Sequence, residues 1–98
     1  MSAAHVIGQG ISGNLLRRCT AQAAEARIEL AASEHHTPCP ELMETLTEIT
    51  ASPTSMVEDP MLAALAAAAL DDLLAHLRGP EHMVLADAVS TAMTVLRS

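Results

Sequence analysis

The sequence contains no Phe, Tyr or Trp among its 98 residues. Its core must therefore be built from Leu, Ala, Val, Ile and Met, and Ala-rich faces let helices approach one another closely. Flavin, haem and nucleotide sites commonly use aromatic stacking, and single-stranded nucleic acid is bound on aromatic platforms. The lack of aromatic residues argues against those ligands, and we predict that the protein holds no cofactor.

Lys is also absent, and five Arg face twelve acidic residues, which gives a formal net charge of −7. No basic residue lies between Ile28 and Leu77, whereas nine acidic residues do. Such a block repels phosphate backbones and anionic lipid, so we predict that the chain binds neither nucleic acid nor membrane. An acidic face can attract a basic protein, although its commonest role is solubility.

Cysteine is scarce and long apolar runs are absent. Cys19 and Cys39 are too few for a disulfide framework, and no basic segment followed by an apolar stretch marks a signal peptide. The longest apolar run, 61–70, is about half of a membrane span. We therefore expect a cytoplasmic protein with reduced thiols.

Gly and Pro divide the chain into a lead-in and four helical segments. Residues 1–13 hold three of the four Gly and are predicted to be irregular. The spacing of apolar residues predicts helices over 14–34, 40–51, 60–78 and 80–97. The predicted fold is all-α, a single domain over 1–98 forming a small irregular four-helix bundle, and dimerisation is one way to complete it.

Three of these helices carry an apolar stripe at steps of three and four residues. Such a stripe is typical of a helix with one face in a core. The first helix has Leu16, Cys19, Ala23, Ala26 and Leu30; the second has Leu42, Leu46 and Ile49; the last has Leu85, Ala88, Val89, Ala92, Met93 and Leu96. Within its stripe, Cys19 is best explained as a small buried apolar residue.

The third helix is predicted to start at Asp59-Pro60 and to end before Gly79-Pro80. It is apolar almost all round as far as Asp71, so we expect it to be the central and most buried helix. One side is predicted to carry Leu62, Leu65, Ala69, Leu73 and His76, and Leu70, Leu74 and Leu77 widen this stripe. His76 would then be a core or interface residue whose protonation near pH 6 loosens the bundle.

A glycine-rich segment, Gly8–Gly13 with sequence GQGISG, lies between Val6-Ile7 and the first helix. It matches the G-x-G-x-x-G pattern, in which backbone N–H groups hold a pyrophosphate at a helix N-terminus. Residues 5–36 thus resemble the opening of a flavin- or nicotinamide-dependent oxidoreductase. That resemblance implies dinucleotide binding, with Glu29 or Glu34 as the acidic residue further on.

The same segment departs from that family in three ways. The first strand would have only two strong residues, residues 22–26 contain no turn former, and the rest of the chain has no strand pattern from which to build a sheet. We therefore favour a lead-in to a helix capped near Ser12 or Asn14. A minimal dinucleotide binder that uses Gly8, Gly10 and Gly13 is kept as a further alternative.

His35, His36 and Cys39 lie within five residues at a predicted helix junction. Imidazole and thiolate are ligands that Zn²⁺ and Cu⁺ prefer, and a helix N-terminus would favour the Cys39 thiolate. Other side chains that could complete a tetrahedral set are Glu34, His5 and His82. Strong zinc signatures have a second ligand pair further along the chain, and here there is none. A metal- or redox-responsive module using this corner is therefore an alternative function.

Cys39 with a neighbouring His also has the composition of a nucleophile and its base. No pattern in the sequence supplies an oxyanion site or a third orienting group, so we predict no catalytic residue and no enzyme. The favoured function is a small helical interaction protein (a regulator, adaptor, chaperone or assembly subunit) acting through aliphatic helix faces. We expect a protein partner or self-association, with a homodimer favoured. The alternative for those faces is a self-sufficient monomeric core.

Overall fold

The computed structural model describes residues 11–32, 40–51 and 57–97. Its helices are α1 (Gly13–Ala32), α2 (Pro40–Thr50), α3 (Pro60–Leu74) and α4 (Met83–Leu96), with a 3-10 turn at Pro80–His82 directly before α4. Across the described ranges the only extended pairing is an isolated parallel bridge between Ile11 and Val57. The predicted all-α, four-helix fold is confirmed.

Two of the helix starts are fixed by side-chain caps. Ser12 caps α1, because its Oγ accepts the Leu15 N–H at 3.1 Å, so this helix begins one residue before the predicted position. Asp59 caps α3, and its carboxylate accepts the N–H groups of Met61 and Leu62 at 3.0 and 3.3 Å. Pro60 then occupies the first helical position, as predicted from the Asp59-Pro60 pair.

The end of α3 differs from the prediction, since the helix stops at Leu74 rather than at residue 78. In a continuing helix the Asp72 carbonyl would accept the backbone N–H of His76. The Nδ1 of His76 lies 2.9 Å from that carbonyl oxygen instead, and the backbone N–H of His76 donates to the Leu73 carbonyl. The imidazole therefore takes over the hydrogen bond that would have extended the helix.

Each helix packs against two of the other three. α1 and α4 each contact both α2 and α3. Within the described ranges α1 does not contact α4, and α2 does not contact α3, so the members of each of these pairs lie diagonally opposite each other. The most extensive packing is between α1 and α3.

Polar contacts of α1 show how α2 and α3 are oriented relative to it. At its start, the Gly13 N–H donates to Glu58, the residue two positions before α3, and near its end Arg27 pairs with Asp72 at 2.8 Å. α1 and α3 therefore run parallel. Arg18 pairs with Glu48 of α2 at 2.9 Å. Both ion pairs are about half exposed to solvent and contribute little to stability.

Buried side chains from all four helices and from Ile11 form one core. The predicted stripe of α1 and that of α2 are fully buried or nearly so, which confirms them. In α4 the predicted stripe is also buried, except that Ala88 is only partly so. Thr45 of α2 is the polar exception in this part of the core, and its hydroxyl donates to the Gln22 side chain of α1.

The prediction for the core side of α3 is confirmed only in part. Leu70 and Leu73 are fully buried, whereas Leu62, Ala69, Leu74 and Leu77 are only partly buried and Leu65 and His76 are exposed. The core side is completed by Ala63, Ala66 and Ala67, which the prediction did not include. Since α1 also presents small residues to the core, Ala on both helices lets the two backbones approach closely. α3 is thus buried on one side only and is not the central helix.

We predict that enlarging a buried Ala of α3 destabilises the fold. Ala66→Leu should cost about 1–3 kcal/mol, because extra methylenes in a well-packed core force neighbouring atoms apart. That cost corresponds to a fall of roughly 4–8 °C in Tm per kcal/mol, measurable by circular dichroism during heating.

The matched control is Ala68→Leu, two residues further along on the exposed side of the same helix. It should change the free energy of unfolding by less than about 0.5 kcal/mol. Equal losses of Tm in the two variants would contradict the packing described for α1 and α3.

Candidate functional site

The outward side of α3 is an exposed apolar surface. It consists of Met61, Ala64, Leu65 and Ala68, which are all exposed and which we call the outer face of α3. Met61 is 74% exposed and Leu65 is 53% exposed. The spacing of three and four residues places the four side chains in one stripe about 10 Å long, opposite the buried Ala side.

The outer face has acidic residues at both ends and no charge between them. At the start of α3, Asp59 is used as the helix cap and Glu58 accepts the Gly13 N–H. At the far end, Asp71 and Asp72 lie one turn beyond Ala68. The carboxylate of Asp72 pairs with Arg27, whereas that of Asp71 is exposed and has no partner among the described residues.

The other large apolar side chains exposed in the described ranges are Ile28, Met83 and Val84. Ile28 is flanked on α1 by Arg27 and Glu29, so its surroundings are charged. Met83 and Val84 open α4 directly after Glu81 and His82. Singly exposed apolar residues are normal on protein surfaces. The outer face of α3 differs from them because two large side chains and two Ala form an uncharged stripe.

A half-open cleft of about 610 Å³ lies at the end of the bundle where α1 and α3 finish. His82 on its wall is buried, whereas His76, Arg78 and Glu81 are exposed. His76, which was predicted to be a core or interface residue, is exposed and lies outside the core, with its Nδ1 2.9 Å from the Asp72 carbonyl oxygen. The loosening of the bundle was predicted for a buried imidazole, which this residue does not have.

A smaller groove of about 260 Å³ lies between α2 and α4. Its described lining is mostly Thr and Ala with one Leu: Leu46, Thr47, Thr50, Ala51, Ala88 and Thr91. The volume is below the usual range for small-molecule sites, about 300–1,000 Å³. The polar side-chain groups of its described lining are the hydroxyls of Thr47, Thr50 and Thr91.

Only the last part of the glycine-rich segment lies in the described residues, since Gly8 and Gly10 fall outside them. Gly13 is the first residue of α1, and its N–H donates to the Glu58 carboxylate at 2.8 Å. A carboxylate of the same chain thus occupies one of the donors that a pyrophosphate would use. A Cβ at Gly13 would lie 3.2 Å from Glu58 Oε1 and 3.4 Å from Leu62 Cδ1. The close approach of α3 is therefore sufficient reason for Gly here.

The predicted metal or redox corner lies outside the described residues, because His35, His36 and Cys39 all fall in the segment 33–39. A metal-responsive role for them stays a prediction. Across the described ranges, no three His, Cys, Asp or Glu side chains converge so as to hold a metal ion.

Cys19 is fully buried on the core side of α1 and is a free thiol. Desolvation by burial raises its pKa from 9.0 to about 11. The thiolate is the reactive form of Cys, so this residue is held in its unreactive form at neutral pH. Its predicted role as a small apolar core residue is confirmed.

The chain matches no protein-family model, no curated protein and no solved structure. None of the helices in the described ranges is long and apolar enough to cross a membrane.

The outer face of α3 was not predicted as a site, because Leu65 was assigned to the core. The signal for it is the apolar run 61–70, which covers the whole circumference of the helix. A helix that packs on one side leaves its opposite side in solvent, so an apolar run without polar positions predicts an exposed apolar stripe.

We predict that Cys19 is protected from alkylation in the folded protein. In a Cys39→Ser variant, iodoacetamide should react with Cys19 at least about a hundredfold more slowly in the native state than in concentrated urea. The rise of two pKa units alone lowers the thiolate fraction by about that factor at mildly alkaline pH. Comparable rates in the two states would contradict the burial of this thiol.

The same shift predicts how stability depends on pH. Since the pKa of Cys19 is raised in the folded state, its contribution to stability is complete below pH 9.0 and is lost as the pH rises toward about 11.

Proposed function

We propose that the chain is a non-enzymatic protein-interaction module that binds a helix of a partner protein along the outer face of α3. The observation that carries the proposal is that two large apolar side chains of this helix lie in solvent although several smaller ones are buried. Ala63, Ala66 and Ala67 are buried together with two Leu near the end of the helix, while Met61 and Leu65 are exposed.

The outer face has the pattern used in helix–helix recognition. Its positions i, i+3, i+4 and i+7 are those by which one helix docks on another. Ala64 and Ala68 leave room for close approach of a partner backbone, and Met61 offers an unbranched side chain that adapts to an irregular surface. Two large anchors on two helical turns make a small interface, so we expect a weak and reversible complex.

An enzymatic role has less support from the described residues. The cleft at the end of the bundle is half-open, and three of the four charged or titratable side chains described on its wall are exposed. Catalytic sites gain their electrostatic strength from pre-arranged groups in a water-excluded space. A non-enzymatic role fits that arrangement better.

We also propose that the protein is located in the cytoplasm, which the buried free thiol of Cys19 supports.

Self-association is a second way in which the outer face of α3 would be covered. In a two-fold dimer the outer faces of two α3 helices would lie against each other.

The proposal predicts that a neutral amphipathic helix binds to the protein and that the double variant Met61→Ser, Leu65→Ser does not bind it. The probe is a labelled synthetic peptide with a Leu stripe and Gln at its polar positions, and binding is followed by fluorescence anisotropy. Removing both anchors should weaken binding by at least about tenfold.

The matched control is Met83→Ser, Val84→Ser, which removes two equally exposed apolar side chains from α4. It should bind the peptide like the unmodified protein, and circular dichroism should show all three proteins equally folded. Equal loss of binding in the two double variants, or the absence of both peptide binding and self-association, would refute the proposal.

A further inference from the structure

We infer that the helix bound by the outer face of α3 is basic: an amphipathic segment of another protein that carries Lys or Arg beside its apolar stripe. This inference rests on the proposed function and adds the chemistry of the partner. It comes from the charges at the ends of the outer face, which are independent of the exposed apolar side chains.

Two adjacent carboxylates lie where the apolar stripe ends. Asp71 and Asp72 follow Ala68 by three and four residues, so both carboxylates flank the last exposed position of the stripe. Asp72 forms an ion pair with Arg27, whereas the Asp71 carboxylate is exposed and unpaired among the described residues. A cation of the partner that reaches one turn beyond Ala68 would meet this carboxylate.

The backbone strengthens the same charge. α3 ends at Leu74, so the carbonyl end of the helix dipole lies within one turn of Asp71. α3 itself has no basic residue, and Arg78, the next one along the chain, lines the cleft beyond the helix end. The negative potential at this end is therefore not cancelled within α3.

A second copy of the chain fits this surface less well. If two α3 helices paired antiparallel, Asp71 and Asp72 of one copy would approach Glu58 and Asp59 of the other. If they paired parallel, the two Asp pairs would approach each other. Acid would oppose acid in both arrangements, between chains of formal charge −7, and like charges across an interface oppose association. Charge complementarity thus favours a basic partner over the homodimer predicted from the sequence.

The test compares three synthetic helices with the same Leu stripe and with Lys, Gln or Glu at the polar positions. We expect affinity in the order Lys, Gln, Glu, with the Lys helix bound at least about tenfold more tightly than the Glu helix. Binding of the Lys helix should weaken severalfold between about 50 and about 300 mM salt, because exposed charges are screened over that range.

Two variants that each neutralise one carboxylate test whether the preference for the Lys helix comes from Asp71. Asp71→Asn should weaken binding of the Lys helix by about threefold and leave the Gln helix unaffected. Asp87→Asn removes an equally exposed carboxylate from α4 and should change neither affinity. The Met61→Ser, Leu65→Ser variant should bind none of the three helices.

The outcomes separate this inference from the proposed function. Equal affinity for the Lys and Gln helices, without salt dependence, would overturn the basic partner and leave the interaction module intact. Sedimentation that shows a dimer dissociated by Met61→Ser, Leu65→Ser would identify a second copy as the occupant and overturn the inference. A monomer that binds none of the helices would overturn both proposals.

Discussion

The close packing of α1 against α3 through small side chains is the constraint on which the rest of the structure depends. The buried side of α1 has Cys19, Ala23 and Ala26 between two Leu, and that of α3 has three Ala followed by two Leu. Small side chains on both helices therefore permit these two parallel helices to approach closely. Gly13 extends the same constraint to the start of α1, where Glu58 and Leu62 leave little room for a Cβ. With this side of α3 in the core, the large residues Met61 and Leu65 lie on the outside.

Much of the fold could be predicted from sequence because most helices have one apolar and one polar side. On α1 the charged residues fall largely away from Leu16, Ala23 and Leu30, so only one rotation buries the stripe and spares the charges. The third helix lacks such a contrast, since every residue from 61 to 70 is apolar. Its rotation therefore does not follow from its own pattern, and in the structure its Ala side is buried against its neighbours. Its end at Leu74 also lies before the predicted one, and there the His76 Nδ1 lies 2.9 Å from the Asp72 carbonyl oxygen.

The candidate site could be predicted only in outline. The sequence indicates a helical protein with aliphatic faces and a block of acidic residues, and these two features meet at Ala68, Asp71 and Asp72. Which face stays exposed does not follow from periodicity, because the same apolar run supplies both the core side and the outer side of α3. For the glycine-rich segment, the sequence contains a pattern that is typical of pyrophosphate binding. In the structure, the N–H of Gly13 donates to the Glu58 carboxylate of the same chain, and Leu62 of α3 lies close to Gly13.

Methyl NMR of the Met residues during titration with a Lys-bearing amphipathic helix tests the central claim most directly. Met61 lies on the outer face of α3, Met83 is similarly exposed at the start of α4, and Met93 is buried in the core. The account predicts that the Met61 methyl signal shifts or broadens on binding while those of Met83 and Met93 keep their positions. A titration in which Met83 responds and Met61 does not would contradict it.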